Sequence, residues 1–353
     1  MIDMTRTEKS ASPSRATQPV SLRTLGEYLN LSPATISLVL NNAPGVRSIP
    51  QETRDRVTAA AEKFDYRPSF YARSLRKRQT YTVGVLVPDL CDNYTSLLLS
   101  GVEEELIEEG YFYLTVSHRR KPDLIEEYPR MLMDRSVEGL LLMDTPIDHA
   151  WNLPIVSIAG HKQIPGVINV VLDQKRAAEL IMQHLYDLGH RKIAFMRGGS
   201  HSSDADERWS CLLAAAQQLG IEVPEERTIQ LKLRVSAPEL GYQPAQELLD
   251  KCDDFTALVC YNDMAAIGAI RALMDRGMSV PEDVSVIGFD DIQSAAFHNP
   301  SLTTIRQPLV QMGATAADIL LKRIRGQQDF PDAIAIEPTL IIRESTGPVP
   351  TFR

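Results

Sequence analysis

The chain has 353 residues, of which 44% are hydrophobic and 24% are charged. This ordinary globular composition argues against wholesale disorder and allows two or three domains with sizeable cores. The net charge of −9 would by itself argue against a nucleic-acid partner.

Membrane insertion and secretion are not expected. No apolar run approaches the ~20 residues that a membrane-spanning helix needs, and the N-terminus lacks the apolar stretch of a secretion signal. We therefore expect a cytoplasmic protein. The four cysteines are widely spaced, so we expect reduced thiols: Cys91, Cys211, Cys252 and Cys260.

The charge is unevenly distributed along the chain. Residues 1–80 hold 13 Lys and Arg against 7 Asp and Glu, a balance of +6, whereas the remainder holds 24 against 39, a balance of −15. A small basic segment therefore precedes a large acidic one. Only the basic segment has the charge to approach phosphates.

The first predicted elements are a tail and a helix. Residues 1–19 are rich in Ser, Thr, Pro and Arg and poor in apolar residues, which predicts a flexible tail. Helical spacing begins after residue 20, because Leu22, Leu25 and Leu29 fall on one face.

Two further helices follow. Ser32 suits the cap of a second helix and Pro33 suits its first position, where its missing N–H costs nothing. A third helix is predicted from about Gln51 to Asp65. Three short helices with a tight turn between the first two indicate a helix-turn-helix domain over residues 20–68.

The rest of the chain alternates buried strands with helices. Short, nearly continuous apolar runs such as "YTVGVLVPD", "VEGLLLMD" and "VSVIGFDD" predict parallel strands covered on both faces. We expect a doubly wound α/β body of two lobes over residues 81–348, with a short tail at 349–353. Binding crevices lie beyond the carboxyl ends of such strands. The polar residues at those ends are Asp89, Asp144, Arg197, Asn262, Asp263, Asp290 and Asp291.

Several blocks of the sequence, spread from Val20 to Pro348, resemble the LacI/GalR family of bacterial transcription regulators. They include "VSLRTLGEYLNLSPATISLVLNN", "DLGHRKIAFMRGG", "VSVIGFDDI" and "PSLTTIRQP". The resemblance implies an all-α helix-turn-helix domain and a two-lobed α/β body similar to periplasmic binding proteins. It also implies a homodimer that binds a pseudo-palindromic operator in double-stranded DNA and a small effector.

The second helix would be the DNA reader. The resemblance implies that Ser32, Pro33 and Ala34 reach base edges from its N-terminal end. Thr35 and Asn41 suit contacts with phosphates.

Leu38 departs from the family pattern. It shares a helix face with Ala34 and lies where the family commonly carries arginine, which would bind guanine. Two interpretations stay open, a packing residue or an apolar contact with thymine methyl groups, and the second predicts an operator that accepts or prefers A·T there. The loop after this helix also looks longer than usual, and its Arg47 is either solvated or in contact with a phosphate.

The connector at residues 69–80 is dense in Arg and Lys and carries one isolated leucine. It is either a charged linker or, as the resemblance implies, a hinge helix that inserts Leu75 into the minor groove. In the hinge interpretation Ser69 and Ala72 lie near the groove floor, and Arg73 contacts the backbone.

The effector would lie in the body. Arg208, Asn262 and Asp290 match positions that hold the effector in the family, and Asp173 matches another cleft residue. Carboxylate and guanidinium groups suit hydroxyl-rich ligands. We therefore expect the effector to be a carbohydrate, either a sugar or a sugar derivative.

The first-lobe part of that site is unusual. Asn93 and Tyr94 are candidates for it, yet Tyr94 stands where the family has proline, and Thr95 stands where it often has an aromatic residue. Cys211 replaces a glycine that often follows the effector-binding arginine. These departures put the usual set of ligand contacts in doubt.

Catalytic and metal-binding patterns are absent from the sequence. It has neither a His-Glu-x-x-His zinc motif nor a Gly-x-Ser-x-Gly elbow, so we expect no enzyme activity and no cofactor. The predicted function is effector-controlled regulation of transcription, usually repression. Two alternatives stay open: a solute-binding protein, which would need a secretion signal and no DNA reader, and a regulator without effector control.

Overall fold

A computed structural model describes most of the chain, in these segments: 20–66, 79–91, 93–160, 162–199, 203–232 and 237–350. The chain divides into two compact units, residues 1–80 (unit 1) and 81–353 (unit 2). Within the described segments no helix is long and apolar enough to cross a membrane. No group of three His, Cys, Asp or Glu side chains in those segments is arranged to hold a metal ion.

The described part of unit 1 folds into α1 (Leu22–Leu29), α2 (Pro33–Leu40) and α3 (Gln51–Lys63). The first helix begins where the Ser21 hydroxyl accepts a hydrogen bond from the backbone N–H of Thr24 at 3.1 Å. It ends at Asn30, which takes a left-handed conformation. The Ser32 hydroxyl begins α2 in the same way, by accepting from the N–H of Thr35 at 3.1 Å.

The second helix ends in a Schellman motif. The N–H of Ala43 donates to the carbonyl of Leu38 at 3.0 Å, and the N–H of Asn42 donates to that of Val39 at 3.1 Å. Asn42 has a φ of 43°, which asparagine tolerates better than most side chains. The long loop then forms a 3₁₀ turn at Val46–Ser48 before α3 begins.

A small core joins these helices. Its buried residues are Leu25, Leu29, Ile36, Val57 and Ala60. At its edge the ring of Tyr28 packs against that of Phe64, with centroids 4.8 Å apart. The Lys63 ammonium donates to the Tyr28 hydroxyl at 3.0 Å, which ties the end of α3 to α1.

Unit 2 is built on two six-stranded sheets. Its strands are β1 (Thr82–Val87), β2 (Phe112–Ser117), β3 (Leu140–Met143), β4 (Ile155–Ile158), β5 (Val167–Leu172), β6 (Ile193–Arg197), β7 (Thr228–Gln230), β8 (Ala257–Val259), β9 (Ser285–Asp290), β10 (Thr303–Arg306), β11 (Ala333–Ile336) and β12 (Thr339–Ile341). Sheet A has the order β11-β5-β4-β3-β1-β2, and sheet B has the order β12-β10-β9-β8-β6-β7. Neighbouring strands run parallel, except that β12 is antiparallel to β10.

Helices cover both sheets, and we define two lobes from them. The helices are α4 (Asn93–Glu108), α5 (Pro122–Asp134), α6 (Gln174–Asp187), α7 (Ser203–Gln218), α8 (Glu239–Lys251), α9 (Asp263–Asp275), α10 (Gln293–Phe297) and α11 (Leu309–Ile324), and a second 3₁₀ turn spans Glu225–Arg227. Lobe 1 is sheet A with α4, α5 and α11. Lobe 2 is sheet B with α6 to α10. The chain crosses between the lobes three times, after β5, after β10 and after β11.

Close packing holds these layers together. Every residue of β1, β3 and β4 is buried, as expected for parallel strands covered on both faces. In lobe 1, α4 and α11 approach so closely at Gly101 and Gly313 that a Cβ on Gly313 would lie 2.1 Å from the carbonyl oxygen of Leu98. The carboxyl ends of the strands carry the loops that form the candidate site.

Candidate functional sites

The N-terminal end of α2 is open to a partner. Ser32, Pro33 and Ala34 are exposed, while Ile36 on the opposite face is fully buried in the core of unit 1. The Thr35 hydroxyl lies 2.9 Å from the Ser32 hydroxyl and is only half-buried. The residues predicted to reach base edges therefore share one accessible helix end.

The C-terminal end of α2 is more constrained. Leu38 is half-buried, and its carbonyl closes the Schellman motif with Ala43. The side-chain amide of Asn41 donates to the Ser37 carbonyl at 2.7 Å and to the Ser37 hydroxyl at 3.2 Å. A phosphate contact through the amide of Asn41 would therefore require these bonds to break.

The other predicted DNA contacts lie in the loop and the connector. Arg47 is exposed and has no ion-pair partner within the described segments. The four connector residues fall outside the described residues: Ser69, Ala72, Arg73 and Leu75.

In unit 2, several strands of both lobes end in left-handed backbone. Asp144 follows β3 with a φ of 38°, and Ala159 follows β4 with a φ of 59°. In lobe 2, Asp290 ends β9 with a φ of 111°, and Asp291 follows it at 57°. Such conformations cost about 1–3 kcal/mol each and gather at functional sites.

The two lobes meet at these strand ends. Burial, and then the carboxylates of Asp204, Asp144 and Asp290, raise the pKa of Tyr94 well above its usual value. Tyr94 and Asp144 belong to lobe 1, whereas the other two carboxylates belong to lobe 2. Tyr261, which follows β8, also has a pKa raised by burial, and the same three carboxylates act on it. These groups therefore lie near one another where the lobes meet, and we call this region the cleft.

Arg208 of α7 lies on the lobe 2 side of this cleft and is only 4% exposed. Its Nη2 donates to Oδ2 of Asp204 at 2.6 Å, and its Nη1 donates to the carbonyl of Tyr261 at 2.7 Å. Its Nε donates to Oε1 of Gln174 at 3.3 Å. The ring centroid of Phe289 lies 3.5 Å from its guanidinium carbon. These bonds use three of the five N–H groups that an arginine carries.

Asp204, Arg208 and Gln174 form a closed hydrogen-bonded ring. The Gln174 amide donates to Oδ1 of Asp204 at 2.7 Å, which completes it. Burial acts to lower the pKa of Arg208, but the Asp204 carboxylate offsets this, and the pKa is raised overall. Arg208 therefore stays charged inside the lobe.

Asp290 and Asp291 are held by separate partners. Asp290 is 8% exposed, and its Oδ1 accepts a hydrogen bond from Gln307 at 2.6 Å. Asp291 accepts from Arg306 and from Arg343, each at 2.6 Å. This clamp fixes the left-handed backbone that carries the Asp290 carboxylate.

Two of the remaining predicted effector residues cap helices. Oδ1 of Asn262 caps α9 by accepting from the N–H of Ala265 at 2.9 Å. A carboxylate oxygen of Asp173 caps α6 by accepting from the N–H of Arg176 at 2.9 Å. Both side chains are half-buried at strand ends, whereas Asn93 is exposed at the start of α4.

Sequence reasoning missed several residues of the cleft: Gln174, Asp204, Tyr261, Phe289 and Gln307. The spacing of four between Asp204 and Arg208 in "SDADERW" was the available signal, because such residues share a helix face. Gln174 and Gln307 carry no comparable signal, since each reaches its partner only through tertiary structure, by the packing of α6 against α7 and by the pairing of β10 with β9.

Comparison with known proteins agrees with this architecture. The family described as bacterial regulatory proteins, lacI family, matches residues 28–69, and the periplasmic binding protein-like domain matches residues 182–346. The HTH-type transcriptional repressor PurR of Erwinia tasmaniensis is 32% identical over 344 residues, which cover 94% of this chain and 99% of that protein. The chain belongs to the LacI family.

Solved structures of LacI-family proteins share the fold. The lac repressor dimer bound to operator and the anti-inducer ONPF aligns with a TM-score of 0.83 and 24% identity, covering 94% of this chain and 100% of that one. A LacI-family regulator from Enterococcus faecium with bound ribose aligns with a TM-score of 0.66 and 29% identity, covering 76% and 99%. This LacI-family chain is thus a DNA-binding transcription regulator with a helix-turn-helix domain and a two-lobed α/β body.

Proposed function

We propose that this LacI-family protein represses transcription as a homodimer on a pseudo-palindromic operator, and that a sugar or sugar derivative in the cleft sets its affinity for DNA. The observation that carries the proposal is the cleft itself. Arg208, Asp290 and Tyr94 come together there from different helices and strands of the two lobes.

The proposed DNA interface combines two segments of the chain. In the helix-turn-helix domain of residues 20–68, Ser32, Pro33 and Ala34 would face base edges, and Thr35 would face a phosphate. Their exposure at the helix start supports this assignment. The hinge at 69–80 would insert Leu75 into the minor groove.

The proposed dimer would use apolar residues that unit 2 leaves exposed. Phe112, on edge strand β2, is 63% exposed, and Phe297, at the end of α10, is 82% exposed. Large exposed apolar side chains of this kind suit a subunit interface. The lac repressor whose structure was solved with operator is itself described as a dimer.

The proposed effector is hydroxyl-rich. Carboxylates accept hydrogen bonds from hydroxyl groups, the guanidinium donates them, and the half-buried ring of Tyr261 offers apolar surface. The Enterococcus faecium relative holds ribose. Ligand would shift the populations of two lobe arrangements and so change operator affinity.

The test begins by selecting the operator from random duplexes with the full-length protein. Affinity for the selected duplex is then measured by fluorescence anisotropy with sugars, sugar acids, glycosides and nucleobases in turn. We expect one hydroxyl-rich compound to change the affinity about 5- to 150-fold, the usual range of allosteric coupling. If the full-length protein enriches no sequence from the random duplexes, the DNA-binding proposal is contradicted. Selection of an operator whose affinity no compound changes would leave a regulator without effector control.

A further inference from the structure

The lobe 1 wall of the cleft contains a strained bend that no sequence motif indicates. It follows β2, where Arg119 and Arg120 both take left-handed backbone, with φ of 50° and 55°. The N–H of Arg120 donates to Nδ1 of His118 at 3.1 Å. Two consecutive left-handed residues other than glycine are costly, so this bend needs strong supporting contacts.

Those contacts come from the end of β3. Nη2 of Arg120 donates to Oδ2 of Asp144 at 3.0 Å, and the two side chains are 25% and 15% exposed. Nε2 of the buried His118 donates to the Thr145 hydroxyl at 3.0 Å, and this hydroxyl donates to the Met143 carbonyl at 2.8 Å. A series of buried hydrogen bonds, from His118 through Thr145 to the Met143 carbonyl, therefore supports the backbone next to the Arg120–Asp144 pair.

His118 does not compete with Arg120 for the carboxylate. Its Nδ1 accepts a hydrogen bond, so the proton lies on Nε2. Burial, and then the charge of Arg120, lower the pKa of His118 to about 4, which keeps the ring neutral. Arg120 is thus a cation of the described segments that faces Asp144.

The pair faces the cleft. Strands β2 and β3 flank β1 in sheet A, so the pair spans the carboxyl end of β1, from which the chain continues to α4 and Tyr94. The Asp144 charge acts on Tyr94 of lobe 1 and on Tyr261 of lobe 2. Arg120 and Asp144 therefore lie across the cleft from the ring around Arg208.

We propose that Arg120 and Asp144 form the lobe 1 half of the effector site and select a neutral ligand that carries neighbouring hydroxyl groups. The inference rests on the proposed function. One hydroxyl would donate to the carboxylate of Asp144 while its neighbour accepts from the guanidinium of Arg120. An anionic ligand would compete with Asp144 for Arg120 and lie among the carboxylates of Asp144, Asp204 and Asp290.

The experiment is isothermal titration of the full-length protein with matched probes. The neutral probes are D-ribose, D-glucose and cellobiose, the anionic probes are ribose 5-phosphate and D-gluconate, and hypoxanthine represents planar bases. We expect a neutral sugar to bind, its anionic counterpart to bind at least about tenfold more weakly, and hypoxanthine not to bind.

Substitutions then test the residue. Arg120→Asn should weaken binding of that sugar about 10- to 100-fold, because a charge-assisted hydrogen bond is lost. Asparagine tolerates left-handed backbone, so the bend is preserved. Arg119→Asn is the matched control, since it removes the same charge from an exposed neighbour with the same backbone and should change the dissociation constant less than about twofold. Arg120→Lys keeps the charge without the fork and should recover part of the affinity.

The outcomes separate the inference from the proposed function. An unchanged affinity in both Arg120 variants, or tighter binding of an anionic probe, would overturn the inference and leave the effector proposal standing. A wild-type protein that binds no neutral probe would overturn both. If circular dichroism shows that Arg120→Asn does not fold, the sugar affinity of Arg120→Lys decides between these outcomes.

Discussion

Removing the Asp204 carboxylate should destabilise unit 2 far more than removing an exposed carboxylate. The Asp204→Ala change leaves Arg208, which is 4% exposed, without its charged partner at 2.6 Å. Breaking a buried ion pair from one side costs about 3–5 kcal/mol. At ~2.1 cal/mol/K per residue, unfolding residues 81–353 has an entropy of about 0.57 kcal/mol/K, so Tm should fall by about 5–9 °C.

Asp318→Ala is the matched control for this change. Asp318 pairs with Lys322 at the same helical spacing and at 2.7 Å, but the two side chains are 39% and 45% exposed. Such surface pairs contribute about 0–1 kcal/mol, so Tm should fall by at most about 2 °C. The measurement is differential scanning calorimetry of the full-length variants. Equal shifts for Asp204→Ala and Asp318→Ala would refute the argument that burial makes the first pair critical.

Three further changes test other parts of the molecule. Because burial holds the His118 pKa at about 4, the folded protein binds this proton only at lower pH than the unfolded chain, so its stabilising effect is complete above about pH 6.5 and declines as the pH falls towards 4. Between pH 7 and pH 5, the free energy of unfolding of wild type should therefore fall by about 2 kcal/mol more than that of His118→Gln. Urea unfolding of both proteins at both pH values measures these falls, and equal falls would contradict the reasoning. Gly313→Ala should lower Tm despite better helix propensity, because the new Cβ would lie 2.1 Å from the Leu98 carbonyl, and a raised Tm would show that the helices can separate freely. Leu38→Arg should move the selected operator towards guanine at one position, whereas a strict guanine already selected by wild type and lost in Leu38→Ala would exclude the thymine-contact interpretation.

The strands that sequence reasoning located are those buried on both faces. The runs that became β1, β3 and β9 are continuous and apolar because helices cover both sides of each sheet. The edge strand β2 gave no such signal, since it starts at an exposed Phe112 and is only partly buried along its length. The three residues of β12 are likewise too few to show a period.

The cleft was only partly predictable for a similar reason. Asp290 lies in a recognisable family block and Arg208 matches a family position, and the structure brings both to the cleft. Arg120 lies in a basic stretch, "HRRK", that has no distinguishing spacing. Its proposed role depends on pairing with Asp144, 24 residues later, which only the order of strands in sheet A brings about.

The threefold crossing between the lobes affects how the protein can be synthesised. Sheet A receives its edge strand β11 from residues 333–336, and sheet B receives β12 from residues 339–341. Neither sheet is complete until residues 333–341 have left the ribosome, whereas the helices of unit 1, which end at Lys63, emerge much earlier. During each round of synthesis, the helix-turn-helix domain is therefore complete well before the two-lobed body that would control its affinity for DNA.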